Sequence, residues 1–199
     1  MIGPLCQSGL ALSREIEAKI GLDDPGSLRT RLGELGAVRQ RHVQETNRIF
    51  DARDRRLLAG DCGLRIRESR PLGGEGPLQP TLTFKGPRDP GPLKSRAELE
   101  TPVADAQTLA EILHRLGFRE VIRYEKRRET WRLGECEVCL DELPRLGWYV
   151  EIEGPRTDAV ETVREQLGLT ASPTLAETYV ELVADHGDTD PAGCRRLSF

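Results

Sequence analysis

Between Arg14 and Ile20 the chain reads REIEAKI, with Glu15, Glu17 and Lys19 alternating with Ile16, Ala18 and Ile20. Successive side chains point to opposite faces of a strand, whereas neighbours on a helix face are three or four residues apart. The stretch therefore predicts a strand with one charged and one apolar face. The same alternation recurs along the chain. Leu64 and Ile66 alternate with Arg65 and Arg67, and Leu82 and Phe84 with Thr81, Thr83 and Lys85. Ala97 and Leu99 alternate with Arg96, Glu98 and Glu100, Lys126 and Arg128 share one parity, Asp141 follows Leu140, and Val150 and Ile152 alternate with Glu151 and Glu153.

Helical spacing appears between these runs. Leu28, Leu32 and Leu35 mark a helix that starts near Pro25 and stops at Gly36. Leu109, Ile112, Leu113 and Leu116 mark a second, closed by Gly117, and Val160, Val163 and Leu167 a third. ETYVELVADHG predicts one more short helix, and VRQRHVQETNRIFD a long strand. No internal repeat or long linker divides the chain. The pattern predicts one mostly antiparallel α+β domain over residues 14–185, between a loose leader, 1–13, and a loose tail, 186–199.

One such strand means only a wet sheet face, since half-exposed antiparallel sheets are common. A whole set of them means that one charged face is shared by the entire sheet. Closing the sheet turns its apolar side outward onto the helices and gathers the charges inside. About eight strands suffice for a barrel that holds a small ligand. The composition of the shared face favours closure. Small neutral polar residues are scarce on it, and arginine dominates its bases. Arginine grips phosphate oxygens two at a time, and carboxylates on adjacent strands suit Mg²⁺ or Mn²⁺. The expected fold is a closed eight-stranded antiparallel barrel with helices packed outside, whose lumen takes a metal–polyphosphate complex.

Charge and cysteine content narrow the partners. The 199-residue chain carries a net charge of −4, which speaks against a general binder of nucleic-acid polymers. No apolar run approaches the roughly 20 residues of a membrane span, and MIGPLCQSGLALS lacks the basic and apolar regions of a signal peptide. Five irregularly spaced cysteines fit reduced thiols and a cytoplasmic location. Cys136 and Cys139, in CEVC, fall on opposite strand faces, which disfavours a shared metal or redox role. His42, His114 and His186 show no paired spacing and are expected at the surface, and Trp131, Trp148 and Tyr149 are expected to pack.

These residues together resemble the CYTH domain, the triphosphate tunnel metalloenzymes. EIEAK matches the family's E-x-E-x-K signature, and LRIR, TFKG, SRAELE, YEKRRETW, CLDELPRLGWYVEIEG and ETYVELV follow it in order. The resemblance implies a metal held by Glu15, Glu17, Glu151 and Glu153, assisted by Glu98 or Glu100 and by Asp141. It implies phosphate binding by Arg65, Arg67, Lys85, Arg96, Lys126 and Arg128, and of these Arg65, Arg67, Lys85, Lys126 and Arg128 are expected to serve substrate rather than the fold. Lys19 would orient or activate the nucleophile. The layout is most similar to the class IV adenylyl cyclase-type subgroup, in which homodimers are common. The enterobacterial-type cyclases carry a His-Phe pair before the signature, where this chain reads CQSGLALS. Triphosphatases acting on inorganic, nucleoside or thiamine triphosphate share the signature. A module that binds polyphosphate without turnover is the third reading open at this level.

Overall fold

The computed structural model describes residues 13–74, 76–91 and 93–199. Its elements run β1 (Ser13–Leu22), α1 (Gly26–Glu34), β2 (Val38–Ala52), α2 (Arg56–Ala59), β3 (Gly63–Pro71), β4 (Leu78–Arg88) and β5 (Lys94–Pro102). They continue with α3 (Ala106–Arg115), β6 (Phe118–Leu133), β7 (Cys136–Leu143), β8 (Gly147–Gly154), α4 (Thr157–Gln166), α5 (Tyr179–His186), β9 (Asp188–Thr189) and β10 (Arg195–Leu197). Gly36 and Gly117, which close α1 and α3, have φ of +72° and +91°. A Cβ is strained in that left-handed region, which is why glycine ends these helices.

Neighbouring strands follow the order β2-β3-β4-β5-β1-β8-β7-β6, and β6 pairs again with β2. That last pairing, running from Val38↔Arg132 to Ala52↔Phe118, closes an eight-stranded antiparallel barrel. The long β6 lends one edge to two partners. β7 takes its later half, from Arg127 to Leu133, and β10 runs parallel to Ile122–Tyr124. The last residues, read from the sequence as a loose tail, thus form the β9–β10 hairpin and bury Leu197. Of the leader expected over residues 1–13, residues 1–12 lie outside the described residues.

The alternating pattern becomes two environments. Outward-facing Ala18, Ile20, Val138, Leu140, Val150 and Ile152 pack beneath α1 and α4, against Leu28, Leu32, Val160 and Val163. Phe50 and Ile66 pack beneath Ala106, Ala110 and Leu113 of α3. Burying a Leu, Ile or Val contributes about 1.5–3 kcal/mol each, so these layers hold the wall from outside. α5 departs from the expected outer placement. Its Tyr179 and Val183 pack on Ile49, Ile122, Tyr124, Leu143 and Tyr149, whose parity is that of the lumen. The helix therefore fills one end of the barrel with an apolar plug. Among the described residues, no helix is long and apolar enough to cross a membrane.

Candidate active site

Strand register builds the site. On β1 and β8, Glu17 lies opposite Glu153 and Lys19 opposite Glu151. Because all four share the lumen parity, three carboxylates meet there. Oxygens of Glu17, Glu151 and Glu153 lie within 4.8 Å of one another. The opposing wall carries bases, with Arg65 and Arg67 from β3, Lys85 from β4, Lys94 and Arg96 from β5, and Lys126 and Arg128 from β6. They surround a cavity of about 540 Å³, within the range of small-molecule sites.

The acids and bases are tightly interlocked. Arg128 donates from Nε to Asp141 Oδ1 at 2.7 Å and from Nη2 to Oδ2 at 2.6 Å, and also bonds Glu151. Lys126 reaches Asp141 at 3.2 Å and Glu45 at 3.6 Å, and Arg67 reaches Glu45 at 3.6 Å and Glu100 at 3.1 Å. Lys85 pairs with Glu98, and Lys94 with Glu17 at 3.2 Å. Lys19 Nζ sits 3.1 Å from Glu151 and 3.2 Å from the Glu177 carbonyl. Charges buried this deeply persist only when paired.

Proton affinities follow from those pairs. Burial pushes the Glu151 carboxyl up, but Lys19, Arg128 and Lys126 outweigh it and hold it well below the usual range. Burial likewise opposes ionisation of Glu45, yet Lys126, Arg128, Arg67 and Arg65 bring it down to about 2. Burial pulls Lys19 down, and Glu151 and Glu17 more than restore it, so its ammonium is retained. Lys94 falls to about 8, through burial and then the nearby charge of Lys19.

Most of the residues expected from the sequence line this cavity, including Glu17, Lys19, Glu98, Glu151, Glu153 and all six phosphate-binding candidates. Glu15 sits opposite Arg96 in the β1–β5 pairing, and its side chain lies outside the described residues. Asp141, expected beside the metal, is instead fully buried behind the bases, where it accepts from Arg128, Lys126 and Tyr179. Glu98 pairs with Lys85 and does not join the cluster of Glu17, Glu151 and Glu153. Arg96 lies toward Asp61, at 3.7 Å. Arg128 and Lys126, expected to serve substrate rather than the fold, also neutralise the buried Glu45, Asp141 and Glu151.

Sequence reasoning missed Glu45, Lys94 and Tyr179. Glu45 shares the parity of Asn47 and Ile49 in β2, a usable signal, but β2 mixes polar residues on both faces. Lys94 shares the parity of Arg96 and Glu98 and was hidden because β5 begins one residue earlier than the pattern indicates. Tyr179 carries no strand signal and reaches the lumen only through the placement of α5. Cys136 packs in the outer core and Cys139 faces the lumen side beside Thr130, as their spacing requires. Trp131 and Trp148 pack against the outer core, and Tyr149 against the α5 plug. His114 and His186 are exposed, and His42 is half-buried.

The CYTH domain family model matches residues 13–179. The chain belongs to the CYTH family. It is 27% identical over 177 residues to MJ0240 of Methanocaldococcus jannaschii, named as a candidate adenylate cyclase, covering 84% of this chain and 97% of that one. It is 30% identical over 139 residues to adenylate cyclase CyaB of Aeromonas hydrophila, covering 69% and 67%. Among solved structures, the PH1819 protein of Pyrococcus horikoshii matches with a TM-score of 0.73 and 28% identity, over 86% of this chain and 98% of that one. In this CYTH chain the E-x-E-x-K strand is β1, and its Glu17 meets Glu153 of β8 across one pairing.

Proposed function

We propose that this CYTH protein is a divalent-metal-dependent enzyme acting on a triphosphate inside its tunnel, by the class IV adenylyl cyclase reaction, ATP to cyclic AMP and pyrophosphate. The observation that carries the proposal is the apposition of Glu17, Glu151 and Glu153 to a wall of arginines and lysines in one enclosed cavity. The all-oxygen donor set fits a hard cation such as Mg²⁺ or Mn²⁺. Bound by Glu17, Glu151 and Glu153, with Glu15 as the proposed fourth ligand, that ion supplies charge neutralisation at phosphate oxygens.

The chain's own residues supply positioning, which is most of what phosphoryl transfer requires. Arg65, Arg67, Lys85 and Arg128 present donors to phosphate oxygens, with Lys126 and Arg96 adding charge. The buried Arg65 Nε has no hydrogen-bond partner, a donor still available to an anion. Lys19, held as an ammonium beside Glu151, orients the reacting oxygens. In cyclisation the ribose 3′-oxygen bonds to the α-phosphorus. The bond from that phosphorus to the bridging oxygen breaks, pyrophosphate leaves, and the hydroxyl proton passes to solvent.

Hydrolysis to orthophosphate is the second reading. It is favoured by the run CQSGLALS, which lacks the His-Phe pair of the enterobacterial-type cyclases. One experiment separates the readings: incubation with ATP, inorganic triphosphate and thiamine triphosphate in Mg²⁺ or Mn²⁺, with chromatography of the products. Cyclic AMP with pyrophosphate supports cyclisation, and orthophosphate supports hydrolysis. Triphosphate bound without any product overturns the enzyme reading in favour of a binding module.

A further inference from the structure

The strap leading into α5 is moulded around Lys19. Leu175 N donates to the Lys19 carbonyl at 2.8 Å, and the Glu177 carbonyl accepts from Lys19 Nζ at 3.2 Å and from Lys94 Nζ at 2.8 Å. Thr178 then caps the helix in a reciprocal box with Glu181, so the backbone at Tyr179 is fixed. Glu181 is bonded in turn by Arg88, which also holds Asp61 and the Ala176 carbonyl.

Tyr179 enters the lumen from this fixed point. Lys19 Nζ lies 3.8 Å from its ring centroid and Lys126 Nζ 4.9 Å. The hydroxyl donates to Asp141 Oδ2 at 2.8 Å. Tyr149 meets the ring edge-on, 5.5 Å between centroids at 76°, and Tyr124 lies 6.5 Å away. The ring is thus pinned at its hydroxyl, at its edge and at its backbone. Lysine is a long, flexible charged side chain, and holding one in a single rotamer costs conformational entropy. A buried aromatic face attracts an ammonium without offering it a proton or a second carboxylate.

We infer that Tyr179 is a positioning residue, whose pinned ring fixes Lys19 and Lys126 where they face the bound polyphosphate. Its effect on turnover rests on the triphosphate-enzyme reading, whereas its effect on Lys19 does not. The tyrosine acts through the two lysines. Its hydroxyl is the lesser part, because Asp141 keeps Arg128 and Lys126 when that bond is lost.

The experiment has two arms, both on the full chain. In the first, Lys19 ε-methylene protons are followed by NMR and assigned by comparison with Lys19→Arg. Ring-current shielding should move them upfield of the other lysines in the wild type and in Tyr179→Phe, and the displacement should vanish in Tyr179→Leu. Unshifted Lys19 protons in the wild type overturn the inference, whatever the variants do and whether or not any triphosphate is turned over. In the second arm, kinetics are measured with Mn²⁺ and whichever triphosphate the wild type consumes. Tyr179→Leu should lower kcat about 30-fold, the scale of one desolvated cation–π contact, with KM within about threefold. Tyr179→Phe should recover most of that loss. Equal losses in the two variants, or wild-type kcat in Tyr179→Leu, overturn the role in turnover.

Discussion

Arg128 on β6 and Asp141 on β7 stand directly opposite each other and pair through two parallel hydrogen bonds, of 2.7 and 2.6 Å, inside the barrel wall. This pair joins the phosphate-binding wall to the fold. Asp141 is fully buried and serves Lys126 and Tyr179 as well. Asp141→Ala should therefore destabilise the protein by about 3–5 kcal/mol, as expected when one partner leaves a buried charge uncompensated. Urea denaturation measures this directly, and a loss below about 1 kcal/mol contradicts the role assigned to Asp141. Arg128→Ala should lower the melting temperature as well, because it strips both Asp141 and Glu151 of a cation.

Acid should weaken the barrel through Glu45. Its folded pKa of about 2 lies below the ordinary value of 4.5. A depressed carboxylate contributes stability that is fully present above its unfolded pKa and is lost as pH falls through the folded one. The Glu45 contribution should thus disappear between about pH 4.5 and pH 2. Glu45→Gln should be less stable at neutral pH and should show a shallower decline across that window. Equal slopes for both proteins in pH-dependent denaturation would refute the assignment.

Metal affinity should reside in the carboxylates rather than in the bases. Glu151→Gln combined with Glu153→Gln should weaken Mn²⁺ binding by about 100-fold or more, at or beyond the upper range for outer-shell changes. Electron paramagnetic resonance titration of free Mn²⁺ reads this without any need for turnover. Glu98→Gln, at a residue turned toward Lys85, should change that affinity far less. Excess EDTA should abolish turnover of the wild type.

The α5 cap gives a prediction that separates stability from position. Thr178→Ala removes the acceptor for Glu181 N and should cost about 1 kcal/mol. Glu181→Ala removes the other half of the box and also the Arg88 contact, so it should cost more. Both melting temperatures can be taken by calorimetry. A smaller loss for Glu181→Ala than for Thr178→Ala would show that the Arg88 bridge adds nothing.

The sequence by itself determined which residues of a strand share a face. Side chains alternate between strand faces by backbone geometry alone, so Glu17, Lys19, Arg65, Arg67, Glu151 and Glu153 were assignable to one surface without knowledge of their neighbours. The helices that cover the outer wall were legible for the same local reason, a spacing of three and four. Parity does not say which inward residues meet. Glu17 touches Glu151 and Glu153 only because β1 pairs with β8, and the lumen exists only because β2 pairs with β6, contacts between residues far apart in the chain. That closure placed Asp141 among cations rather than beside the carboxylate cluster. It also left room at one end for α5, whose Tyr179 no strand pattern could assign to the lumen. Local periodicity is set by each strand's own backbone, whereas register and closure are set by the most favourable burial and charge pairing of the whole ring.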